Sequence, residues 1–370
     1  MKKYKRLSGL ALVAFLVTGC VNTDPNSNSS SSMETTEESS SISSEVSHSE
    51  SSMESSSSSK NEMTIENYFP FDENVQYSYL GEGNEFASFD RYPQYIDGNR
   101  IQYIEKNSGT AHTFVLEYKD GKLTELYSRP ETYFRENMME KTSEGQGEIL
   151  LKEPLEVGNS WENPSGTVSE ITSVDFSVET PLDVFSAIEV TNTHKDSITK
   201  SYYVKNIGLV KQEVIANDDS YIVSSTLETI SKEAPEVAVI KAYYPDANAM
   251  ELESSDVNVS FYTNDVTRKT MTELLKQVPG VEYGKLISDN TEMNSLYLNE
   301  DGRVYVDFSK ELIEDMNAGS SGESLIIQGI VNTIGNYYNV KEVVLTVENQ
   351  PYESGHYSMN KDESFKVDME

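Results

Sequence analysis

The chain has 370 residues, a formal net charge of −33, one cysteine and one tryptophan. That length has room for two domains that each bury a core. The charge leaves no basic stripe to displace counterions from phosphates, which excludes nucleic acid as a partner. A single cysteine excludes an intrachain disulfide and thiolate zinc sites.

Residues 1–19 read as a secretory leader: Lys2, Lys3, Lys5 and Arg6 precede the uncharged run from Leu10 to Val17, which is too short to span a bilayer. The run closes on Leu16-Val17-Thr18-Gly19-Cys20, which resembles the lipobox of bacterial lipoproteins. The resemblance implies a signal peptide cut before Cys20 and fatty acyl chains, such as palmitate, carried by the mature N-terminus. Cys20 is therefore the candidate lipid-attachment residue. At ~0.8 kcal/mol per buried methylene, those chains would hold the protein on the outer face of a membrane, most simply that of a Gram-positive cell. Residues 20–63 are rich in serine and glutamate, including the run Ser55–Ser59. They lack the apolar residues that offset ordering entropy, so they are expected to form a disordered tether spanning roughly 35 Å, with His48 solvated.

Residues 64–232 alternate in strand fashion between closely spaced turn signals. Tyr118-Lys119-Asp120-Gly121-Lys122-Leu123 predicts a hairpin on a type I′ turn, and Asp97-Gly98-Asn99 precedes a strand over 100–105. Further strands are predicted over 184–191, 198–205, 208–215 and 221–230. The expected fold is an all-β antiparallel curved sheet or open barrel. Glu233-Ala234-Pro235-Glu236 is a polar joint. Beyond it, Val237, Val239 and the run to Tyr244 predict one strand, and Val257, Val259 and Phe261 a second. Asn264 or Asp265 is placed to cap a helix striped by Met271, Leu274, Leu275 and Val278, which Pro279-Gly280 ends. Val304, Val306 and Phe308 alternate after the Asp301-Gly302 turn. Ser320 and Glu323 have the spacing of a capping box, opening a helix with Leu325, Ile326, Ile327, Ile330, Val331, Ile334 and Tyr338 on its apolar face. Val343, Leu345 and Val347 close the pattern, and residues 352–370 are expected to be a loose acidic tail.

This order resembles the GerMN domain of GerM-type sporulation and germination lipoproteins. The resemblance rests on Asn299–Phe308 (N-E-D-G-R-V-Y-V-D-F), Gly319, Glu323, Gln328, Val331, Asn332, Thr333, Ile334, Val340 and Val343, and covers ~Val237 to Pro351. It implies an α+β domain over 236–351 with helices packed on one sheet face. The family often ends its last strand on a glycine turn, whereas Glu348-Asn349-Gln350-Pro351 stands here. Gly158-Asn159-Ser160-Trp161 and the stretches 180–190 and 202–211 are similar to a cadence of secreted β-rich proteins.

Signals for chemistry are sparse. His48, His112, His194 and His356 form no HExxH or i, i+4 pair, and no G-x-S-x-G elbow or Walker loop occurs. Gly81-Glu82-Gly83 begins a dinucleotide fingerprint, but Phe86 fills the third glycine's place. Asp246-Ala247-Asn248-Ala249-Met250 mimics an EF-hand loop, with Glu251 where the glycine belongs. Phe86, Phe89, Tyr92, Tyr95, Tyr103, Phe114 and Tyr118 could stack on a glycan or pair across strands. The reading is a non-enzymatic, membrane-anchored envelope lipoprotein that binds or scaffolds peptidoglycan or envelope proteins, with no cofactor or metal and with sporulation or germination as the family's setting. The alternative is a lipoprotein binding a lipid, glycan or peptide in its β-rich domain; a cell-wall hydrolase is the third.

Overall fold

The computed structural model describes residues 63–143, 147–361 and 363–368. The expected leader, Cys20 and all of the expected tether but its last residue lie outside them. Met63–Glu370 forms one compact unit. A short helix, α1 (Ile65–Tyr68), leads into β1 (Val75–Glu82), β2 (Phe89–Asp97), β3 (Arg100–Lys106), β4 (Ala111–Lys119), β5 (Lys122–Pro130) and β6 (Glu148–Lys152). Then come β7 (Ser160–Glu162), β8 (Val168–Glu179), β9 (Val184–Thr193), β10 (Ser197–Val204), β11 (Gly208–Ala216) and β12 (Ile222–Lys232). The β4–β5 hairpin turns at Asp120 and Gly121, both at positive φ, as the sequence predicts.

These twelve strands form one antiparallel sheet in the order β6-β5-β4-β3-β2-β1-β12-β11-β10-β9-β8-β7. Two meanders meet at β1 and β12, which leaves β6 and β7 as the edges. Side chains on and beside β7 bridge the seam between those edges. The Trp161 indole Nε1 donates to Ile149 O at 3.0 Å, Asn163 Oδ1 accepts from Ile149 N at 2.8 Å, and Asn159 Nδ2 donates to Lys152 O at 2.8 Å. Residues 159, 161 and 163 alternate, so one side of the strand supplies all three. Side-chain bonds thus replace a backbone ladder and satisfy an edge that would otherwise be open. The sheet is a nearly closed barrel.

Its core gathers Leu116, Leu123, Leu151, Ile171 and Ile188, all fully buried, with Ile65, Tyr68 and Phe69 packed in from the α1 segment. Four of the seven clustered aromatics are spent in ring pairs: Tyr103 stacks on Phe114 at 5.0 Å, Phe89 on Tyr79 at 4.4 Å and Tyr118 on Phe71 at 4.0 Å. Arg91 is buried, its Nη2 2.5 Å from Glu105 and its guanidinium 4.6 Å from the Tyr103 ring.

The C-terminal module begins with the hairpin β13 (Glu236–Pro245) and β14 (Leu252–Phe261), followed by α2 (Thr267–Lys276). Next are β15 (Met293–Leu298), β16 (Val304–Phe308), α3 (Glu311–Glu314), α4 (Ser320–Tyr338), β17 (Glu342–Val347), β18 (Gln350–Pro351) and β19 (Phe365–Lys366). β16 and β17 pair in parallel across the α3–α4 crossover, and the other pairs of this sheet are antiparallel. Met271, Leu274 and Leu275 from α2 and Ile327, Ile330, Val331 and Ile334 from α4 share one core with Val304, Val306, Phe308, Val343 and Leu345.

Three local expectations are corrected. Gly319 caps α4 and Ser320 lies inside the helix, without a side-chain capping bond; the Glu323 carboxylate turns to another partner, described below. Asn264 and Asp265 do not cap α2, whose cap residue is Val266. Instead Asn264 Oδ1 accepts from Ile96 N in the barrel, and Asp265 Oδ2 from Tyr262 N. The C-terminal segment is not loose: Tyr352 is fully buried and β19 pairs with β17. Gln328 Nε2 donates to Lys366 O, Asn332 Oδ1 accepts from Asp368 N, and a Cβ at Gly335 would stand 2.3 Å from Val367.

Candidate functional site

The most concentrated buried charge outside the barrel core lies where the modules meet. The loop between β5 and β6 carries Arg135 into the junction, where its side chain is 2% exposed. Arg135 Nη1 lies 3.1 Å from Glu236 Oε2, and Nη2 donates to Gln94 O at 2.5 Å and Tyr262 O at 2.9 Å. The guanidinium sits 4.6 Å from the Tyr95 ring and 5.2 Å from that of Phe261. Glu236, the first residue of β13, also holds Lys106 Nζ at 2.7 Å and Gln94 Nε2 at 3.1 Å. Arg135 N donates to Tyr337 OH at 2.9 Å, and Phe134 packs on the Tyr338 ring at 5.0 Å. Burial raises the pKa of both tyrosine hydroxyls, which keeps them neutral donors and acceptors.

A second clasp lies beside this one. Asn74 and Thr263 exchange bonds, Asn74 N to Thr263 Oγ1 and Thr263 N to Asn74 Oδ1, both at 2.8 Å. Asn264 N donates to Gln94 O at 2.9 Å. Barrel and C-terminal module are thus joined by a buried ion pair and a part-buried clasp; Arg135 bonds through both terminal nitrogens while its buried Nε meets no partner among the described residues.

The Arg135 loop divides the junction into two clefts. One, about 380 Å³, lies between β13 (Val237, Ala238, Val239) and the β3–β4 turn, with Lys106 and Phe134 on its walls. The other, about 530 Å³, lies between Tyr95, Phe134 and the β15 residues Leu296–Leu298. Both are ligand-sized.

Within the C-terminal module, the residues behind the GerMN resemblance hold the framework. Thr333 Oγ1 donates to Gly329 O at 2.8 Å and accepts from Tyr243 N at 2.9 Å, tying α4 to β13; a Cβ at Gly329 would meet Tyr243 O at 2.7 Å. Asp307 is buried, with Oδ1 accepting from Thr346 Oγ1 at 2.6 Å and Asn349 N at 2.7 Å, and Oδ2 from Asn294 Nδ2 at 2.9 Å. That second bond steadies the turn where the family often has glycine: Glu348 and Asn349 both adopt positive φ, 50° and 61°.

Glu323 gathers Tyr352 OH at 2.7 Å, Ser354 Oγ at 2.5 Å and His356 Nδ1 at 2.6 Å. Burial pushes the carboxyl pKa up, but the donors from Ser354, Tyr352 and His356 outweigh it and hold it below the ordinary glutamate value. The residue types are those of a hydrolytic triad but the wiring is not. Serine and histidine both bond the carboxylate, and Ser354 Oγ accepts from His356 N and Tyr357 N, so no base addresses the hydroxyl.

Among the other singled-out residues, His112 stacks on Phe114 at 4.1 Å, and desolvation lowers its pKa. His194 lies 3.2 Å from both Thr167 Oγ1 and Thr199 Oγ1. Asp246 Oδ1 accepts from Met250 N and Glu251 N, closing a turn. Among the described residues no group of three or more His, Cys, Asp or Glu side chains is placed to hold a metal, and no helix is long and apolar enough to cross a membrane.

The profile of the Germane family, described as sporulation and spore germination, matches residues 241–353. Those residues form a GerM-like domain. Among solved structures, the tandem GerMN domains of the sporulation protein GerM from Bacillus subtilis are 17% identical over 35% of this chain and 46% of theirs, with a TM-score of 0.26. A protein described as exported, with a YmcC-like fold, from Bacteroides fragilis NCTC 9343 is 15% identical over 45% of this chain and 99% of its own, with a TM-score of 0.31. One described as a lipoprotein from Clostridium perfringens is 16% identical over 36% and 87%, with a TM-score of 0.24. No curated protein matches the chain. The GerM-like match ends one residue before Ser354, so most of the segment that Glu323, Gln328 and Asn332 hold lies beyond it.

Proposed function

We propose that this chain is a non-enzymatic envelope lipoprotein, anchored on the outer face of the cell membrane through Cys20, whose barrel and GerM-like module act as one rigid body that binds or scaffolds cell-wall or envelope partners. The observation that carries the reading is the Arg135–Glu236 junction. A side chain 2% exposed, bonded at 3.1 Å across the two modules, holds them as a single surface. A rigid composite surface suits scaffolding, because little ordering entropy is left to lose on binding. The family description supplies sporulation and germination as the setting to test first.

The alternative of a ligand cupped inside the barrel finds less support. The space lined by Tyr79, Arg91, Tyr103 and Leu209 measures about 30 Å³, room for a water and not for a lipid or glycan. The test has two arms. Mass spectrometry of the membrane-extracted protein should find an acylated N-terminal cysteine, and Cys20→Ala should release the chain to the medium. Purified residues 63–370 should co-sediment with peptidoglycan sacculi or with solubilised envelope complexes. An unacylated protein that binds neither would overturn the proposal.

A further inference from the structure

We propose that the cleft beside β13 receives an extended segment of a partner protein, which adds to the β13–β14 hairpin as a third strand. The inference rests on the binding role proposed above and names its surface and its partner chemistry.

The direction of the β13 backbone carries the argument. The β13–β14 ladder runs from Glu236↔Phe261 to Pro245↔Leu252 without a register shift, so alternate residues turn their backbone groups toward β14 and away from it. Asp246 N bonds Glu251 O across the hairpin end, which sets the even positions inward. Tyr243 N reaches Thr333 Oγ1 and Pro245 O accepts from Gly284 N, which sets the odd positions outward. At Tyr243 and Pro245 those outward groups are satisfied within the chain. At Val237, Val239 and Lys241 they meet no hydrogen-bonding partner among the described residues. This stretch is an unpaired strand edge, and it borders the 380 Å³ cleft.

Proteins protect such edges with lysine, proline, bulges or inward charge; here the exposed Lys241 guards only the far end, and Val237–Ile240, which borders the cleft, carries none of them. It carries apolar side chains instead, with Val237 50% and Val239 66% exposed. The opposite wall, built from the β3–β4 turn (Asn107–Thr110) and the loop Thr132–Arg135, makes the space a trough. A trough with an unpaired edge on one wall fits a single extended chain better than the folded sheet of a second copy. Arg135 is buried against Glu236, so the charge an incoming chain can reach on the lining is that of Lys106, one-third exposed and held on its inner side by Glu236. An incoming strand that carries a carboxylate beside Lys106 and β-branched residues at alternate positions matches both features.

The test uses residues 63–370 and the labelled peptide acetyl-Glu-Val-Thr-Val-Thr-Val-amide, read by fluorescence anisotropy. Val239→Pro removes an N–H that points away from β14, so the hairpin keeps its own ladder. We expect saturable binding that Val239→Pro weakens about tenfold or more. Alternate N-methylation of the peptide should do the same with its side chains unchanged, and Lys106→Glu should weaken it too. Circular dichroism and thermal melting establish that the variants are folded. Absence of binding at millimolar peptide, or binding indifferent to N-methylation and Val239→Pro, overturns the inference. So does a concentration-dependent dimer that Val239→Pro abolishes, because the edge would then pair with a second copy. If Val239→Pro fails to fold, the N-methylated peptide and Lys106→Glu still decide. Co-sedimentation that Val239→Pro leaves intact would reject the strand site while the binding role stands.

Discussion

Replacing Glu236 by alanine is the sharpest perturbation of the junction. The substitution removes the one carboxylate that neutralises Arg135 among the described residues, and the Arg135 side chain stays 2% exposed and walled by Tyr95 and Phe261. Breaking a buried pair by deleting one partner costs about 3–5 kcal/mol, because the remaining charge is stranded. Lys106, one-third exposed, can turn to solvent, so its share is held to about 1 kcal/mol or less. The same truncation at Glu314, whose pair with Lys310 is more than half exposed on both sides, should cost under about 0.5 kcal/mol and serves as the control. Urea unfolding of residues 63–370 can follow the single tryptophan, Trp161, which sits at the barrel seam, alongside far-ultraviolet circular dichroism. The parent should give coincident transitions, whereas Glu236→Ala should unfold earlier with the two probes separating as the modules uncouple. A loss below about 1 kcal/mol with coincident probes would refute the idea that this ion pair couples the modules.

Four further outcomes follow from the geometry. Asn163→Ala leaves the Ile149 N–H at the seam without its acceptor and should cost about 1–3 kcal/mol, with faster hydrogen exchange at Ile149; unchanged exchange would count against side-chain closure of the barrel. Burial, with Glu105 and Glu148 nearby, pushes the Glu125 carboxyl up to about 7 against the Ser128 hydrogen bond, so the folded state binds the extra proton. This contribution is present below pH ~4.5 and fades as pH rises through about 7, on the order of 3 kcal/mol in all, and Glu125→Gln should flatten that part of the stability–pH curve. Converting the β17–β18 turn to Asn-Gly by Glu348→Asn with Asn349→Gly relieves two positive-φ positions and should stabilise by about 0.5–1 kcal/mol in a thermal melt. Glu323→Ala removes the acceptor shared by Tyr352, Ser354 and His356, so limited proteolysis should cut within 353–361 first, and an unchanged digest would show that Glu323 does not hold the segment.

The strands were legible because alternation is a local signal. The Asp120-Gly121 hairpin, the β9–β12 meander and the apolar stripe of α4 follow from residues within a few positions of one another, as does that of α2 up to Leu275; the helix stops at Lys276, before Pro279-Gly280, and leaves the expected Val278 beyond it and exposed. What the sequence hid is long-range. Gly158-Asn159-Ser160-Trp161 looked only familiar, yet Asn159 and Trp161, with Asn163, bridge the barrel seam by reaching a strand that no local pattern brings near. Ser320 and Glu323 had the spacing of a capping box, but the carboxylate found better donors about thirty residues onward, and a buried group takes the partners that satisfy it best. Arg135 gave no signal, since Gln94, Glu236 and Tyr262 meet it only through the fold. The acidic composition of the tail suggested solvation, while Gly335 and Asn332 on α4 had already prepared its seat.

The most direct test of the central claim, that barrel and GerM-like module are one rigid body, is a pulsed electron-spin distance between labels placed at Glu170→Cys on β8 and Glu273→Cys on α2. Both positions are exposed, and residues 63–370 contain no native cysteine to compete. A single narrow distance distribution that broadens in Glu236→Ala is the predicted result. A broad or multimodal distribution in the parent protein would contradict it.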